Sequence, residues 1–277
     1  MPNLRIIYDN AADRAVLTAS SQASSSMSVA NLHSDIKAEV LRSVGTTLVL
    51  EADWASPEVI AGVAFPFCNP TTASTARVRL YATKGGTLLH DTGSVVLCPA
   101  RVSNLRGWTQ QQLGVNSFAY GGGTYGRVWL PRQTGVRYMK VDIVDTGNPS
   151  GYLEFSRLVC GDYWSPLRNA DRGVQLAPVD LSKHYRNGGG DLRTDIGTRH
   201  RKQSLDFSLL DPVDRDALWD ILLGNGKGRP IFYSLYPNGQ DAKLEQMHQM
   251  YCKLVDIPEL QTPFFRKTAS AVELEEV

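Results

Sequence analysis

Apolar and polar residues alternate along most of this chain in short runs, and glycine or proline breaks the runs before they reach helical length. Residues 77–82 read Arg77, Val78, Arg79, Leu80, Tyr81, Ala82, the period of a strand wet on one face and packed on the other. Gly85 and Gly86 then supply a turn into residues 88–92. The same pattern predicts strands over 4–8, 46–52, 59–65, 95–97, 126–130 and 137–143, with a turn and a further strand between 145 and 158. Many short strands at this spacing predict a sandwich or jelly roll. Residues 19–28 are small and carry no sustained face, so they read as a loop or extended arm, and 161–166 (GDYWSP) closes the sandwich.

Beyond that point the pattern changes. Strands are predicted over 174–180, 204–209, 229–236, 250–255 and 269–275, and Asn187-Gly188-Gly189-Gly190 reads as a hinge or loop. One helix is predicted from Asp211, with its carboxylate accepting open amide bonds, Pro212 in the first turn and Asp214 favoured by the helix dipole. Val213, Ala217, Leu218, Ile221 and Leu222 form its apolar face, and Gly224 provides a left-handed stop. The expected organisation is an N-terminal strand and arm over 1–35, with the option of joining the C-terminal part, a sandwich over 36–166, and a β-helix-β domain over 167–277.

With 277 residues the chain has apolar material for two modest cores. Its 29 Lys and Arg against 28 Asp and Glu leave a formal charge of +1, which gives no bulk pull toward nucleic acid or an anionic membrane. The densest basic run, Arg199, His200, Arg201 and Lys202, is flanked by Asp195 and Asp206 and reads as a solvated loop or subunit contact. Cys68, Cys98, Cys160 and Cys252 form no CxxC unit, and no apolar stretch approaches membrane-spanning length. Together with a start that lacks a signal peptide's apolar core, this predicts manufacture in a reducing cytoplasm with the thiols as small buried hydrophobes.

Candidate chemistry is thin. No GxSxG elbow presents a serine, and His33, His90, His184, His200 and His248 form no HExxH or close cluster. Gly121-Gly122-Gly123 lacks the lysine of a phosphate loop and reads as a turn. Asp142, Asp145 and Glu154 supply carboxylates for glycoside hydrolysis, but capping, cation binding or arginine pairing suits them equally. Arg137, Asp142, Asp145, Asn148, Glu154 and Arg157 form the most structured polar set, expected to maintain the fold. Trp54, Trp108, Trp129 and Trp164 are expected in the core or a domain contact, with a sugar platform as the alternative, and Trp219 off the helix's apolar arc. No catalytic, cofactor-binding or metal-ligating residue is singled out, and no cofactor is expected.

Residues 137–166, RYMKVDIVDTGNPSGYLEFSRLVCGDYWSP in part, resemble the closing strands of galactose-binding-like jelly rolls in tailed-bacteriophage virion proteins. YDNAADRAVLTAS with NLHSDIKAEVLRS, and later RKQSLDFSLLDPVDRDALWDILLGNGKGRPIFYSLYPN, resemble the N-terminal region and the C-terminal β-helix-β unit of the same proteins. The resemblance implies a mostly β fold, a galactose-binding-like β-sandwich plus a smaller β-rich domain with one packed helix. It also implies a non-enzymatic tail component at the distal end or tail tip, located in the virion. Its implied partners are further copies in a homo-oligomeric ring, with a hexamer as one option, and tail tube, hub and receptor-binding proteins. Direct nucleic-acid binding and membrane insertion are not expected. A carbohydrate-binding adhesion module that meets a surface glycan is the alternative, and a glycan-active enzyme the least favoured.

Overall fold

In a computed structural model of the chain, residues 3–98, 124–239 and 241–277 are described. Trp108 and Gly121–Gly123 lie outside the described residues. The first strands are β1 (Arg5–Ile7), β2 (Val16–Ala19), β3 (Leu41–Arg42), β4 (Thr47–Cys68), β5 (Thr75–Tyr81), β6 (Leu88–Asp91), β7 (Val95–Val96), β8 (Thr124–Val144), β9 (Glu154–Phe155) and β10 (Val159–Gly161). They are followed by β11 (Gln175–Asp180), β12 (Lys183–Arg186), β13 (Leu192–Asp195), β14 (Arg199–Leu210), α1 (Pro212–Asn225) and β15 (Ile231–Ser234). The last elements are α2 (Ala242–Met247), β16 (Gln249–Leu254), β17 (Gln261–Phe264) and β18 (Lys267–Glu276). The fold is mostly β, as the strand pattern predicts.

Two compact units divide these elements: Met1–Ser165 with Ile231–Tyr251, and Pro166–Pro230 with Cys252–Val277. Residues 231–251, expected in the second part, therefore cluster with the first. The expected arm over 19–28 is likewise held in the first unit, where Ala19 pairs with Leu50 of β4 and the Ala23 amide donates to the Arg42 carbonyl.

The first unit is organised by β4 and β8, which pair antiparallel from Thr47↔Val144 to Cys68↔Thr124. Sequence patterning splits each of them into two strands, and the reason is a double irregularity. Between Asp53↔Tyr138 and Glu58↔Val136 β4 advances five residues against two on β8, and between Ile60↔Thr134 and Gly62↔Trp129 the excess passes to β8. Such bulges bend a paired ribbon without ending it. Leu48, Leu50, Ala52 and Trp54 from one half of β4 join Ile60, Val63 and Phe65 from the other in a single apolar core, with Val78 and Leu80 of β5 and Met139, Val141 and Ile143 of β8. The ribbon has curled into a sandwich whose two layers are halves of the same strands.

The back of the second half of β4 and β8 is buried as well. β1 pairs with β15, and Ile7, Phe232, Phe67, Tyr125 and Trp129 fill the space against that back. Gly62 permits the approach, since a Cβ there would lie 2.6 Å from Cζ3 of Trp129.

In the second unit β14 pairs with β11 on one side and β18 on the other, and α1 packs near β18. Arg201, expected in a solvated run, is buried on β14 in an ion pair with Glu276 at 2.7 Å. Its neighbours on the strand pair outward, Arg199 with Asp180, His200 with Glu275 and Lys202 with Glu273. The helix begins at Pro212 as expected, but the Asp211 carboxylate is occupied by Lys267 and makes no capping bond. Gly226, at φ +52°, ends the helix in place of Gly224. Leu218, Ile221 and Leu222 are buried as predicted, Ala217 is half-buried, and Val213 is exposed.

Two substitutions test this packing. Gly62→Ala forces Trp129 to shift and is expected to cost about 1–3 kcal/mol, measured as a lower urea midpoint. Ile221→Asp places an unpaired carboxylate in the apolar contact under α1, with an expected loss of about 3–5 kcal/mol; a parental midpoint would contradict the burial of that face.

Candidate functional site

The residues singled out in the sequence do not converge. Asp145 is buried and accepts from the amide and hydroxyl of Thr71, each at 2.7 Å, and from Nδ2 of Asn148 at 3.1 Å. Asp142 pairs with Arg79, Glu154 with Arg42 at 2.8 Å, and Nε of Arg137 donates to the Trp54 carbonyl. Arg157, also buried, donates to the Tyr251 hydroxyl, the Leu32 carbonyl and Asp13, while Tyr251 donates to Asp35 at 2.6 Å. Each of these groups is committed to an internal contact, between strands for Asp142, Glu154 and Arg137 and between loops for Asp145. Trp54, its Nε1 bonded to the Ala11 carbonyl, and Trp164 are core residues, whereas Trp219 is half-exposed.

All four cysteines are buried without a disulfide, and burial pushes the Cys160 and Cys252 thiols well above their usual range. Burial also lowers His33. Among the described residues no group of three or more His, Cys, Asp and Glu is placed to hold a metal ion, and no helix is long and apolar enough to cross a membrane.

A cleft of about 290 Å³ opens on the first unit where β6, β7, β8 and the turn after β15 meet. Its lining includes His90, Asp91, Thr92, Val96, Arg127, Trp129 and Asn238. Two of these are organised by one carboxylate. Glu245 on α2, fully buried, accepts from Nε and Nη2 of Arg127 at 2.6 and 2.7 Å and from the Asn238 amide at 3.2 Å. Asn238, which lines the cleft, sits at φ +55°, a left-handed turn position that asparagine tolerates. Arg127 also donates to the Val96 carbonyl, fixing β7 at the rim.

On the other wall Arg77 clamps Asp91 through Nε at 2.9 Å and Nη2 at 2.5 Å, and the Gly93 amide adds a third donor. The Arg77 guanidinium holds the Asp91 carboxyl down at about 2, so the wall keeps its negative charge at any pH above about 4. His90 lies beside it, half-buried. Its Nε2 is shielded from solvent and meets no hydrogen-bond partner among the described residues, and the same holds for Nε1 of Trp129. The Trp129 ring is fixed edge-on to Tyr163 at 5.5 Å and carries the Arg5 guanidinium 5.1 Å from its centre. The arrangement supplies an aromatic wall, a fixed carboxylate, a fixed guanidinium, an amide and an imidazole.

Sequence reading placed His90 only among histidines that form no cluster, set Trp129 in the core or a domain contact with a sugar platform as the alternative, and gave Arg127, Asn238 and Glu245 no role. No spacing signal links 90, 127, 238 and 245; only the fold does.

No protein-family model matches the chain, and no curated protein matches it. Solved structures are similar over part of it. The chitosan-binding module 1 of a chitosanase/glucanase from Paenibacillus sp. IK-5 covers 56% of this chain and 99% of its own length at 12% identity and a TM-score of 0.38. A Clostridium perfringens protein in complex with GalNAc-β-1,3-galactose covers 56% of this chain and 100% of its own at 7% identity and 0.39. A Streptococcus pneumoniae fucose binding module covers 55% and 94% at 15% identity and 0.36.

The Glu245 clamp is testable by itself. Arg127→Met leaves a buried carboxylate unpaired and is expected to destabilise the first unit by about 3–5 kcal/mol, read from denaturant unfolding. An unchanged midpoint would mean that the clamp does not hold the cleft together.

Proposed function

We propose that the chain is a non-catalytic carbohydrate-binding protein whose galactose-binding-like sandwich takes a sugar in the cleft of the first unit. The observation that carries this reading is His90: a shielded imidazole nitrogen without a hydrogen-bond partner among the described residues, on a side chain that lines the cleft with Asp91 and Trp129. A buried polar atom left unmade costs about 1–3 kcal/mol, and a sugar hydroxyl, both donor and acceptor, satisfies it beside the Asn238 side chain. The cleft is at the small end of ligand sites, near 300 Å³, which suits one or two sugar rings rather than a long chain. The part-chain likenesses to a chitosan-binding module and a fucose binding module agree with this chemistry, but the reading rests on the cleft.

A second reading, a tail component of a bacteriophage virion, is favoured by a different observation. The second unit carries Leu181, Tyr185, Leu192 and Ile196 all more than half exposed around one hairpin, an amount of unpartnered apolar surface suited to assembly with other subunits. Side-chain-resolution imaging of intact particles tests that placement.

For the carbohydrate reading, the full chain is measured against immobilised glycans ending in galactose, N-acetylgalactosamine, fucose and glucosamine. His90→Ala and Asn238→Gly, glycine being free to keep the left-handed turn, are each expected to weaken binding about tenfold or more, the loss of one hydrogen bond in a desolvated site, with parental thermal unfolding. Absence of binding by the parent, or equal binding by both variants, would remove the proposal.

A further inference from the structure

Two of the four cysteines are neighbours in the first unit. Sγ of Cys68, the last residue of β4, lies 3.9 Å from Sγ of Cys98, 30 positions further along the chain. No short spacing joins them. They meet because the chain runs through β5, β6 and β7 before it returns to the end of β4.

Backbone bonds hold both positions. Cys68 is in register with Thr124 of β8 and with Phe155 of β9. On the other side, the Leu97 amide donates to the Ser74 carbonyl at 3.1 Å and the Leu97 carbonyl accepts from the Arg127 amide at 2.9 Å, so the residue before Cys98 is anchored in both directions. Gly126 leaves room for this segment, since a Cβ there would lie 2.9 Å from Cγ of Leu97 and 3.5 Å from Sγ of Cys98. The fold itself therefore keeps the two sulfurs in contact. A disulfide needs them about 2.05 Å apart, and about 1 Å of movement by each sulfur, swinging on its Cβ, closes the gap.

We propose that Cys68 and Cys98 form a disulfide site, a dithiol in a reducing compartment and a closed bond in an oxidising one, with a low-molecular-weight disulfide as co-reactant. The thiolate of one cysteine attacks a sulfur of the small disulfide and breaks its S–S bond. One half leaves and takes up a proton, while the other half stays on the protein as a mixed disulfide. The second cysteine, already in contact, gives up its proton and attacks the protein sulfur, forming the Cys68–Cys98 bond and expelling the remaining half as a thiol. The protein loses two electrons and two protons, and the small disulfide gains them. Both side chains are buried, at 1% and 0% exposure, so the first attack waits on local opening and is slow in the folded protein.

The bond closes a loop that contains β5, β6 and β7, and with them His90, Asp91 and Val96 of the cleft wall. A cross-link of this kind restricts the unfolded chain and so favours the folded one. Neither cysteine lines the cleft, and the site stands whether or not a sugar binds there.

The test uses the full chain, purified under reduction and then held in oxidised glutathione, with and without urea below the unfolding midpoint to speed local opening. Thiols are blocked with iodoacetamide in full denaturant and counted by intact mass. Four blocked cysteines are expected before oxidation and two after, with a digest peptide that links Cys68 to Cys98. Cys98→Ala is expected to form no link between its cysteines, whereas Cys160→Ala with Cys252→Ala still closes the bond. The oxidised parent is expected to unfold about 5–10 °C above the reduced one, a gain that disappears on reduction and is absent from Cys98→Ala. Four blocked cysteines after both incubations, a mixed disulfide with glutathione that never closes, a link to Cys160 or Cys252, or a bond that lowers the unfolding temperature would each overturn the proposal.

Discussion

The first unit depends on one antiparallel pair, Thr47–Cys68 against Thr124–Val144, bending back on itself. Bulges displaced first onto one strand and then onto the other allow the ribbon to turn without losing its ladder. That bend brings Leu50 and Phe65, fifteen residues apart on the same strand, into one core. It also turns the far half of the ribbon outward, where Trp129 and Arg127 become available to a second layer. The cleft is thus a by-product of how the sandwich closes, bounded by β8 and by the short strands that β5 carries at its edge.

Charge in this protein is used mainly as a fastener. Glu245 holds Arg127 and Asn238, Arg157 gathers Tyr251, Leu32 and Asp13, and Glu276 holds Arg201. Buried pairs of this kind add little net stability over apolar packing, but losing one partner is costly because the other charge is stranded. Their effect is therefore on geometry, which they hold to a single arrangement. Asp145 and Arg157 are each held by several internal partners, whereas Nε2 of His90 meets none among the described residues.

The two units present different kinds of surface. The first offers a small concave site with mixed polar and aromatic walls, the second an exposed two-stranded hairpin. Both are assembled from backbone features with steric requirements, the Asn238 turn in one case and Gly190 and Gly197 in the other.

Much of the local structure was legible. Alternation in residues 77–82 located β5, and Pro212 with the spacing of Leu218, Ile221 and Leu222 located α1. Errors arose where a neighbour outcompeted a local preference: Lys267 took the Asp211 carboxylate that would otherwise cap the helix, and Glu276 drew Arg201 out of solvent. The glycine tract at 188–190 showed that the chain turns there but not that the flanking strands would stand alone. Periodicity states which residues share a face, because that follows from bond geometry along a few residues of backbone. Which faces meet is decided by contacts between distant segments, and so the strand-rich character of both units was contained in the sequence, while the union of His90, Arg127, Asn238 and Glu245 in one cleft was decided by the tertiary fold.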